Sequence, residues 1–207
     1  AALERSFAEL VRRHESLRTR IETTSDGQGR QVIDPAGGFR LRVVDLSSWP
    51  EAVRIAEGAR LAQAEAARPF DLSRELFRVW LYRLSREEHI LLVMQHHIMT
   101  DGWSESVLVR ELGILYTAYQ EGRLSPLPEL EVQYADYALW QREWLQGEVL
   151  ERQVAYWSEQ LRGIPAALEL PTDRPRPATF NYKGARQPLT LSRELTARLE
   201  ALGRREG

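Results

Sequence analysis

The sequence predicts a layered α/β fold, in which strands form a sheet that helices cover. Segments with the helical spacing of apolar residues alternate along the chain with short apolar runs that are typical of strands. The 207 residues are 43% hydrophobic, which is enough for one sizeable core or for one and a half domains. The overall composition shows none of the polar bias that is typical of a disordered chain.

The first part of the chain is predicted to hold two helices and three strands. One apolar face of the first helix (2–14) carries four residues at helical spacing: Leu3, Phe7, Leu10 and Val11. Strands are predicted at 17–24, 30–34 and 39–45. An alanine-rich helix follows at 51–67 and ends before Pro69, because a residue that precedes proline disfavours the helical conformation.

The second part begins with a predicted antiparallel hairpin of strands 77–84 and 89–97. Only Ser85–Glu88 join the two strands, and so short a connection favours a hairpin. Three helices are predicted next, at 103–120, 134–146 and 148–162. A proline-rich linker at 163–180 then leads to an amphipathic helix at 192–205, which Ser192 caps and whose apolar face carries Leu195, Leu199 and Leu202.

The segment Gln95–Ser104 holds the most distinctive group of polar residues in the chain. His96 and His97 stand at the end of the second hairpin strand, and the turn Asp101–Gly102 precedes a helix for which Ser104 is the predicted N-cap. Since successive strand side chains point to opposite faces, we expect one histidine to be structural and the other to face a cleft. The alternative is that both imidazoles are satisfied core residues.

Composition argues against several classes of protein. A net charge of −2 offers no basic face for nucleic acid. A zinc site is disfavoured, because the chain has no cysteine and only two other histidines, His14 and His89. No apolar run of about 18 residues and no signal-peptide pattern occurs, so we expect a soluble protein without a membrane segment. The absence of cysteine fits the reducing cytoplasm.

The pattern His96-His97-x-x-x-Asp101-Gly102 resembles the signature of condensation domains from nonribosomal peptide synthetases, which share a fold with chloramphenicol acetyltransferase. Three further segments resemble family motifs in the same order along the chain: Arg13–Thr19, Tyr134–Trp140 and Leu168–Pro177. The first is similar to Arg-His-Glu-x-Leu-Arg-Thr, the second to Tyr-x-Asp-(Phe/Tyr)-Ala-x-Trp, and the third to the linker that follows. The resemblance covers nearly the whole chain.

The chain also departs from the family pattern. Ile21 stands where a Phe is common, and residues 71–76 lack the usual Gly-Pro. The opening segment and the later half of the family pattern are absent. We therefore expect residues 1–177 to be the amino-terminal, acceptor-side half of a condensation domain, and 178–207 to be the linker and the start of the carboxyl-terminal half. The resemblance implies a mixed sheet packed with helices, as one half of a pseudo-dimeric, V-shaped domain.

The resemblance implies a role for each residue of the signature. His97 is the catalytic residue, since a histidine that titrates near neutrality can accept or organise the proton of an attacking amine. Four residues are structural or supporting: His96, Asp101, Gly102 and Arg13. Asp101 is expected to pair with an arginine from the later half, and Gly102 to allow a close backbone approach or unusual dihedral angles. The candidates for the substrate tunnel are Trp103 and Ser104.

Two of the matched segments also have a purely structural interpretation. Four aromatic residues recur at a spacing that is more typical of a packing stripe than of a substrate platform: Tyr134, Tyr137, Trp140 and Trp144. Asp136 is expected to aid the start of their helix. Arg13–Arg18 straddle a helix end, where a solvated face is the default, whereas the resemblance implies that this segment braces the fold.

The resemblance implies that the activity is amide bond formation between a donor acyl or peptidyl thioester and an acceptor aminoacyl thioester. Both substrates would arrive on 4'-phosphopantetheine arms of donor and acceptor peptidyl carrier proteins, next to an adenylation domain of the same assembly line. The domain itself would need no bound cofactor. Two alternatives are an O- or N-acyltransferase that acts on a soluble acceptor and a non-catalytic docking module for carrier proteins.

Overall fold

The computed structural model of the chain describes residues 1–168, 170–175, 179 and 184–207. Within these residues the helices, in chain order, are α1 (Ala2–Arg13), α2 (Glu51–Ala66), α3 (Gly102–Gln120), α4 (Tyr134–Trp144), α5 (Gly147–Gln160) and α6 (Arg193–Glu206). The strands are β1 (Thr19–Thr23), β2 (Gly29–Ile33), β3 (Arg42–Asp45), β4 (Phe77–Arg83) and β5 (His89–Gln95). A 3-10 helix (Glu15–Arg18) connects α1 with β1.

The strands form two ladders. β1 and β2 make an antiparallel pair, while the second sheet has the order β3-β4-β5. In that sheet β3 is parallel to β4, and β4 is antiparallel to β5. The mixed sheet and the hairpin expected from the sequence are therefore both confirmed.

Helices cover both faces of the three-stranded sheet. Phe77 and Val79 of β4 face the main core, where they cluster with Phe7 of α1 and Leu115 of α3. The alternate positions of β4 face α2, as expected for a pleated strand. α2 approaches this face closely, because Gly58 lies where an added Cβ would come within 2.8 Å of the Leu84 side chain.

Three predicted strand boundaries are wrong by two or more residues. β1 begins at Thr19 rather than at residue 17, β3 begins at Arg42 rather than at residue 39, and β5 ends at Gln95 rather than at His97. The pairing of β4 with β5 stops at Phe77 and Gln95, so both histidines lie beyond the sheet. β5 is also less buried than its apolar sequence predicts: Leu91 is 40% exposed, because β5 pairs with β4 alone in the described part of the chain.

The aromatic residues of α4 do not form the buried packing stripe that their spacing predicts. Their rings contact one another along the helix, with centroids 5.6–6.0 Å apart, yet each residue is 43–57% exposed: Tyr134, Tyr137, Trp140 and Trp144. The role of Asp136 at the helix start is confirmed, since its Oδ2 accepts from the backbone N–H of Gln133 at 2.8 Å.

The chain divides into two compact units, Ala1–Tyr156 and Trp157–Gly207. In the second unit, the Oγ of Ser192 accepts from the backbone N–H of Leu195 (3.2 Å) and caps α6, as predicted. The predicted linker at 163–180 and the boundary at 177 lie partly outside the described residues, so the predicted domain division stays a prediction. Among the described helices, none is both long enough and apolar enough to cross a membrane.

Candidate functional site

A tight turn follows β5 and carries both histidines of the signature. The backbone N–H of His96 donates to the carbonyl oxygen of Leu76, and that of Met99 donates to the carbonyl oxygen of His96, both at 3.0 Å. Inside the turn, Nδ1 of His96 accepts from the backbone N–H of Ile98 at 3.0 Å. Because a nitrogen that accepts carries no proton, this bond places the proton of the neutral ring on Nε2. The His96 side chain therefore shapes the turn.

His97 points into different surroundings. Its exposed side chain lines a cavity of about 390 Å³. The other walls of this cavity come from the end of α1, the start of α3 and the segment before α4, through His14, Ser16, Asp101, Ser104, Leu130, Val132, Gln133 and Tyr134. The alternative of two satisfied core histidines is wrong for His97. The turn, rather than the alternation of a strand, gives the two rings their separate surroundings.

Asp101 is the N-cap of α3, the role that the sequence assigned to Ser104. Its Oδ1 accepts from the backbone N–H of Ser104 (2.9 Å) and from the Ser104 hydroxyl (2.7 Å). These bonds hold the pKa of Asp101 below its usual value, and the nearby His97 ring contributes less. Asp at this position accepts from free amides of the first helical turn, so the cap is a local property of the chain. No salt bridge involves Asp101 in the part of the chain that the structure describes, and its arginine partner stays a prediction.

The next three residues open α3. Gly102 is the first helical residue and does not adopt a positive φ, so the expected need for unusual dihedral angles is wrong. A side chain at this position would have room, since an added Cβ would meet no atom within 4 Å. Trp103 is 85% exposed and does not contribute to the cavity, whereas Ser104 lines it. Trp103 and Ser104 thus differ in position, and their role in a substrate tunnel stays a prediction.

Arg13 is buried, which contradicts the solvated face that is the default at a helix end. Only 3% of the residue is exposed, and its Nη1 donates to the carbonyl oxygen of Pro128 at 2.7 Å. Its Nε donates to Oε2 of Glu111 in α3 at 3.4 Å, and Nε2 of His14 donates to the same oxygen at 2.8 Å. Burial alone would raise the pKa of Glu111, but the bonds and charges of His14 and Arg13 outweigh it, and the pKa lies below its usual value. We call Arg13, His14 and Glu111 the brace.

Sequence reasoning missed two residues of this region, Glu111 and Gln133. Glu111 lies on the buried face of α3 with Leu108 and Leu115, and a carboxylate on an apolar helix face was the available signal. The side chain of Gln133 donates to the Arg13 carbonyl oxygen (2.8 Å) and accepts from the backbone N–H of Glu15 (3.1 Å). The residues around Gln133 give no sign of these two hydrogen bonds, because their partners lie 118 or more positions away along the chain.

The cavity suits proton transfer at an exposed imidazole. Among the described residues, no group of three or more His, Cys, Asp and Glu side chains could hold a metal ion. His97 lines the cavity together with Asp101 and Ser104, which stand at the start of α3. A helix N-terminus favours negative charge that develops nearby, and an exposed imidazole can take part in proton transfer. The chemistry that these groups offer is acid–base and electrostatic.

Comparison with known proteins places the sequence in a family. A profile of the family described as "Condensation domain" matches residues 1–207. One of the linear gramicidin synthase proteins of Brevibacillus parabrevis is 48% identical over 207 residues, and phosphinothricin tripeptide synthetase PhsB of Streptomyces viridochromogenes is 42% identical over 206 residues. The matches cover 100% and 99% of this chain but only 3% and 17% of those proteins. The chain thus spans a small part of the curated relatives it matches.

The structure is similar to two solved structures of a domain from teicoplanin biosynthesis. The X-domain from teicoplanin biosynthesis matches with a TM-score of 0.71 and 34% identity, covering 86% of this chain and 39% of that one. The same domain, solved in complex with OxyB, matches with a TM-score of 0.71 and 35% identity, covering 86% of this chain and 38% of that one. The expected fold, of the chloramphenicol acetyltransferase type, is confirmed by structural neighbours that are condensation domains.

Proposed function

Because this chain belongs to the condensation-domain family, we propose that it takes part in amide bond formation in nonribosomal peptide biosynthesis. Its substrates are a donor acyl or peptidyl thioester and an acceptor aminoacyl thioester. The observation that carries the proposal is the position of His97, which is exposed in a cavity while its neighbour His96 shapes the turn. Relatives described as peptide synthetases support the same reaction class.

In the proposed step the protein mainly orients the amine and the thioester and stabilises the charge that develops on the carbonyl oxygen. The acceptor nitrogen attacks the thioester carbonyl carbon, a C–N bond forms, the C–S bond breaks, and the proton lost by the amine ends on the departing thiol. His97 organises or relays that proton. The backbone amide of Gly102, which as the first residue of α3 has no acceptor within the helix, is the candidate donor to the oxyanion that develops.

The substrates define the partners that we propose. Donor and acceptor peptidyl carrier proteins deliver the thioesters on 4'-phosphopantetheine arms, and an adenylation domain of the same assembly line loads the acceptor. The arms belong to the carriers, so the proposed reaction asks for no cofactor bound by the domain itself. The open cavity beside His97 is the part of this chain that such an arm would approach.

Intact-mass analysis of the acceptor carrier protein tests the proposal. The full-length synthetase that contains this chain is mixed with loaded donor and acceptor carriers, beside its His97→Ala and His89→Ala variants. His89 is also exposed but lies at the opposite end of β5, so it is a matched control. We expect a dipeptidyl mass shift with the wild type and with His89→Ala, and no shift with His97→Ala. Normal turnover by His97→Ala would refute the assignment.

A second candidate function is a non-catalytic docking module. The similarity to an X-domain that was solved in complex with OxyB favours it, because that domain has a similar fold and binds another protein. In that case the wild type would produce no mass shift with carrier proteins whose loading has been verified. It would nevertheless form a stable complex with another protein of the assembly line. Acylation of a free amine or alcohol in the same assay, without transfer to a carrier, would instead identify an acyltransferase for soluble acceptors.

A further inference from the structure

Three side chains in consecutive contact connect β4 with the turn that carries His97. The guanidinium carbon of Arg78 lies 4.1 Å from the centre of the Phe70 ring, a distance typical of a cation–π contact. The Phe70 ring meets the His96 ring nearly at a right angle (87°), with centroids 5.7 Å apart. Edge contacts of this kind favour one relative orientation of two rings. The row Arg78–Phe70–His96 therefore constrains how the His96 imidazole is turned.

Burial and hydrogen bonds fix the Arg78 side chain at one end of this row. Only 3% of the residue is exposed, and its position in β4 pairs with Met94 of β5. Its Nη2 donates to the carbonyl oxygen of Arg68 (2.7 Å), and its Nη1 lies 3.3 Å from a carboxylate oxygen of Glu65 in α2. Since a buried guanidinium with such partners cannot turn without losing them, the ring of Phe70 is held from one side.

The orientation of the His96 ring matters because Nδ1 accepts from the backbone N–H of Ile98 at 3.0 Å. A rotation of the imidazole would break that bond and free the backbone of Ile98, the residue that follows His97. None of Arg78, Phe70 and His96 lines the cavity that His97 faces, so these residues cannot contact a substrate there. Any influence on the reaction must pass through the turn.

We infer that Phe70 and Arg78 are positioning residues for His97, which they orient through the imidazole of His96. The inference deepens the proposed function and rests on it. In the reaction, a misplacement of about 1 Å of an acid–base group lowers the rate by up to about a hundredfold. A loosened turn therefore lowers kcat. The acceptor KM should stay unchanged, because neither Phe70 nor Arg78 lines the cavity.

The test compares Phe70→Leu with Phe39→Leu in the full-length synthetase. Both phenylalanines are half-buried and in contact with other aromatic rings, but Phe39 contacts Phe7 and Phe77 rather than His96. We expect Phe70→Leu to lower kcat about tenfold with an unchanged acceptor KM, and Phe39→Leu to leave kcat near the wild-type value. Phe70→Tyr retains the ring and should restore kcat. If Phe70→Leu loses the native circular dichroism spectrum, Phe70→Met fills the volume without a ring and takes its place.

A double-mutant cycle separates positioning from general destabilisation. In a His96→Leu background, Phe70→Leu should cause no further loss of kcat, because the residue through which Phe70 acts is already removed. Equal kcat values for Phe70→Leu and Phe39→Leu, or additive losses in the cycle, would overturn the inference. Those outcomes require an active wild type, so they differ from a failure of the proposed function, in which the wild type itself forms no amide.

Discussion

At the scale of single residues, the two adjacent imidazoles differ in what they contact. The His96 ring accepts a backbone hydrogen bond inside the turn, while the His97 side chain lines the cavity. A nitrogen that must accept from an N–H cannot be protonated, whereas a nitrogen in an open cavity can exchange its proton with a substrate. The structural role of His96 is therefore seen in its contacts, and the chemical role of His97 stays a proposal.

Substitution of His96 tests which of its ring nitrogens matters. The Oδ1 of asparagine is an acceptor at the same number of bonds from the backbone as Nδ1, whereas the amide of glutamine extends toward the position of Nε2. We expect His96→Asn to keep the bond to Ile98 and to retain more of the condensation rate than His96→Gln. The measurement is single-turnover condensation by the full-length synthetase. A lower rate for His96→Asn than for His96→Gln would contradict the role assigned to Nδ1.

Asp101 is expected to contribute to stability as well as to activity. We expect Asp101→Ala to lower both the melting temperature and the condensation rate, because α3 loses its cap, and Asp101→Asn to keep most of the stability, because asparagine also caps helices. Thermal unfolding followed by circular dichroism measures the difference. An unchanged melting temperature in the Asp101→Ala variant would contradict the capping role.

The same residue predicts a dependence on pH. Since its pKa in the folded state is depressed, Asp101 stabilises the fold above its pKa in the unfolded state, and this contribution is lost as the pH falls through the folded-state value. The difference in melting temperature between wild type and Asp101→Ala should therefore be full at neutral pH and begin to shrink below about pH 4, where the carboxylate of the unfolded chain starts to be protonated. A difference that did not shrink in stronger acid would show that it does not come from the ionised carboxylate.

At the scale of elements, the brace joins the end of α1 to the middle of α3. Two of its members, Arg13 and His14, share one carboxylate oxygen of the third, Oε2 of Glu111, in a region that is largely shielded from water. α3 also carries Ser104 near its start, next to the turn of His97. The brace therefore sets the position of the helix from which one wall of the cavity is built.

Removal of the buried carboxylate charge should be costly. We expect Glu111→Gln to lower the free energy of unfolding by roughly 3 kcal/mol, because Arg13 would keep a buried charge without its counter-ion. Glu105→Gln in the exposed first turn of the same helix is the matched control and should change stability little. Urea unfolding of the two variants measures both values. Equal stabilities would show that the brace contributes nothing beyond a surface ion pair.

At the scale of the whole molecule, much apolar surface is exposed. Trp103, Trp140 and Leu139 are each more than half exposed, together with many other large apolar residues. Large apolar side chains that are exposed together are typical of surfaces that bind another protein or another part of the same chain. The expectation from the family pattern, that residues 1–177 are half of a larger domain, accounts for such surfaces and stays a prediction.

A dye-binding measurement checks this property. We expect the 207-residue chain, expressed alone, to enhance the fluorescence of the apolar dye ANS at neutral pH while its circular dichroism spectrum shows native secondary structure. Trp103→Ser and Trp140→Ser should each reduce the enhancement, because each removes a large exposed apolar group. Weak enhancement by the folded wild type would mean that the chain covers these groups by itself.

Features that depend only on neighbouring residues could be predicted from the amino-acid sequence. Helical spacing located α1 and α6, a four-residue connection identified the β4–β5 hairpin, and the order of the motifs indicated the family. These features could be predicted because periodicity, capping and short loops act within a few residues of the chain.

Tertiary packing sets how distant segments of the chain meet. It ended β5 at Gln95, where the partner strand stops, and it buried Arg13 against Glu111, which lies 98 positions away. It also left the aromatic rings of α4 exposed, although their spacing alone predicts a packed stripe. The physical reason is that the burial of a side chain depends on which element packs against it, and the residues of one segment do not specify that element.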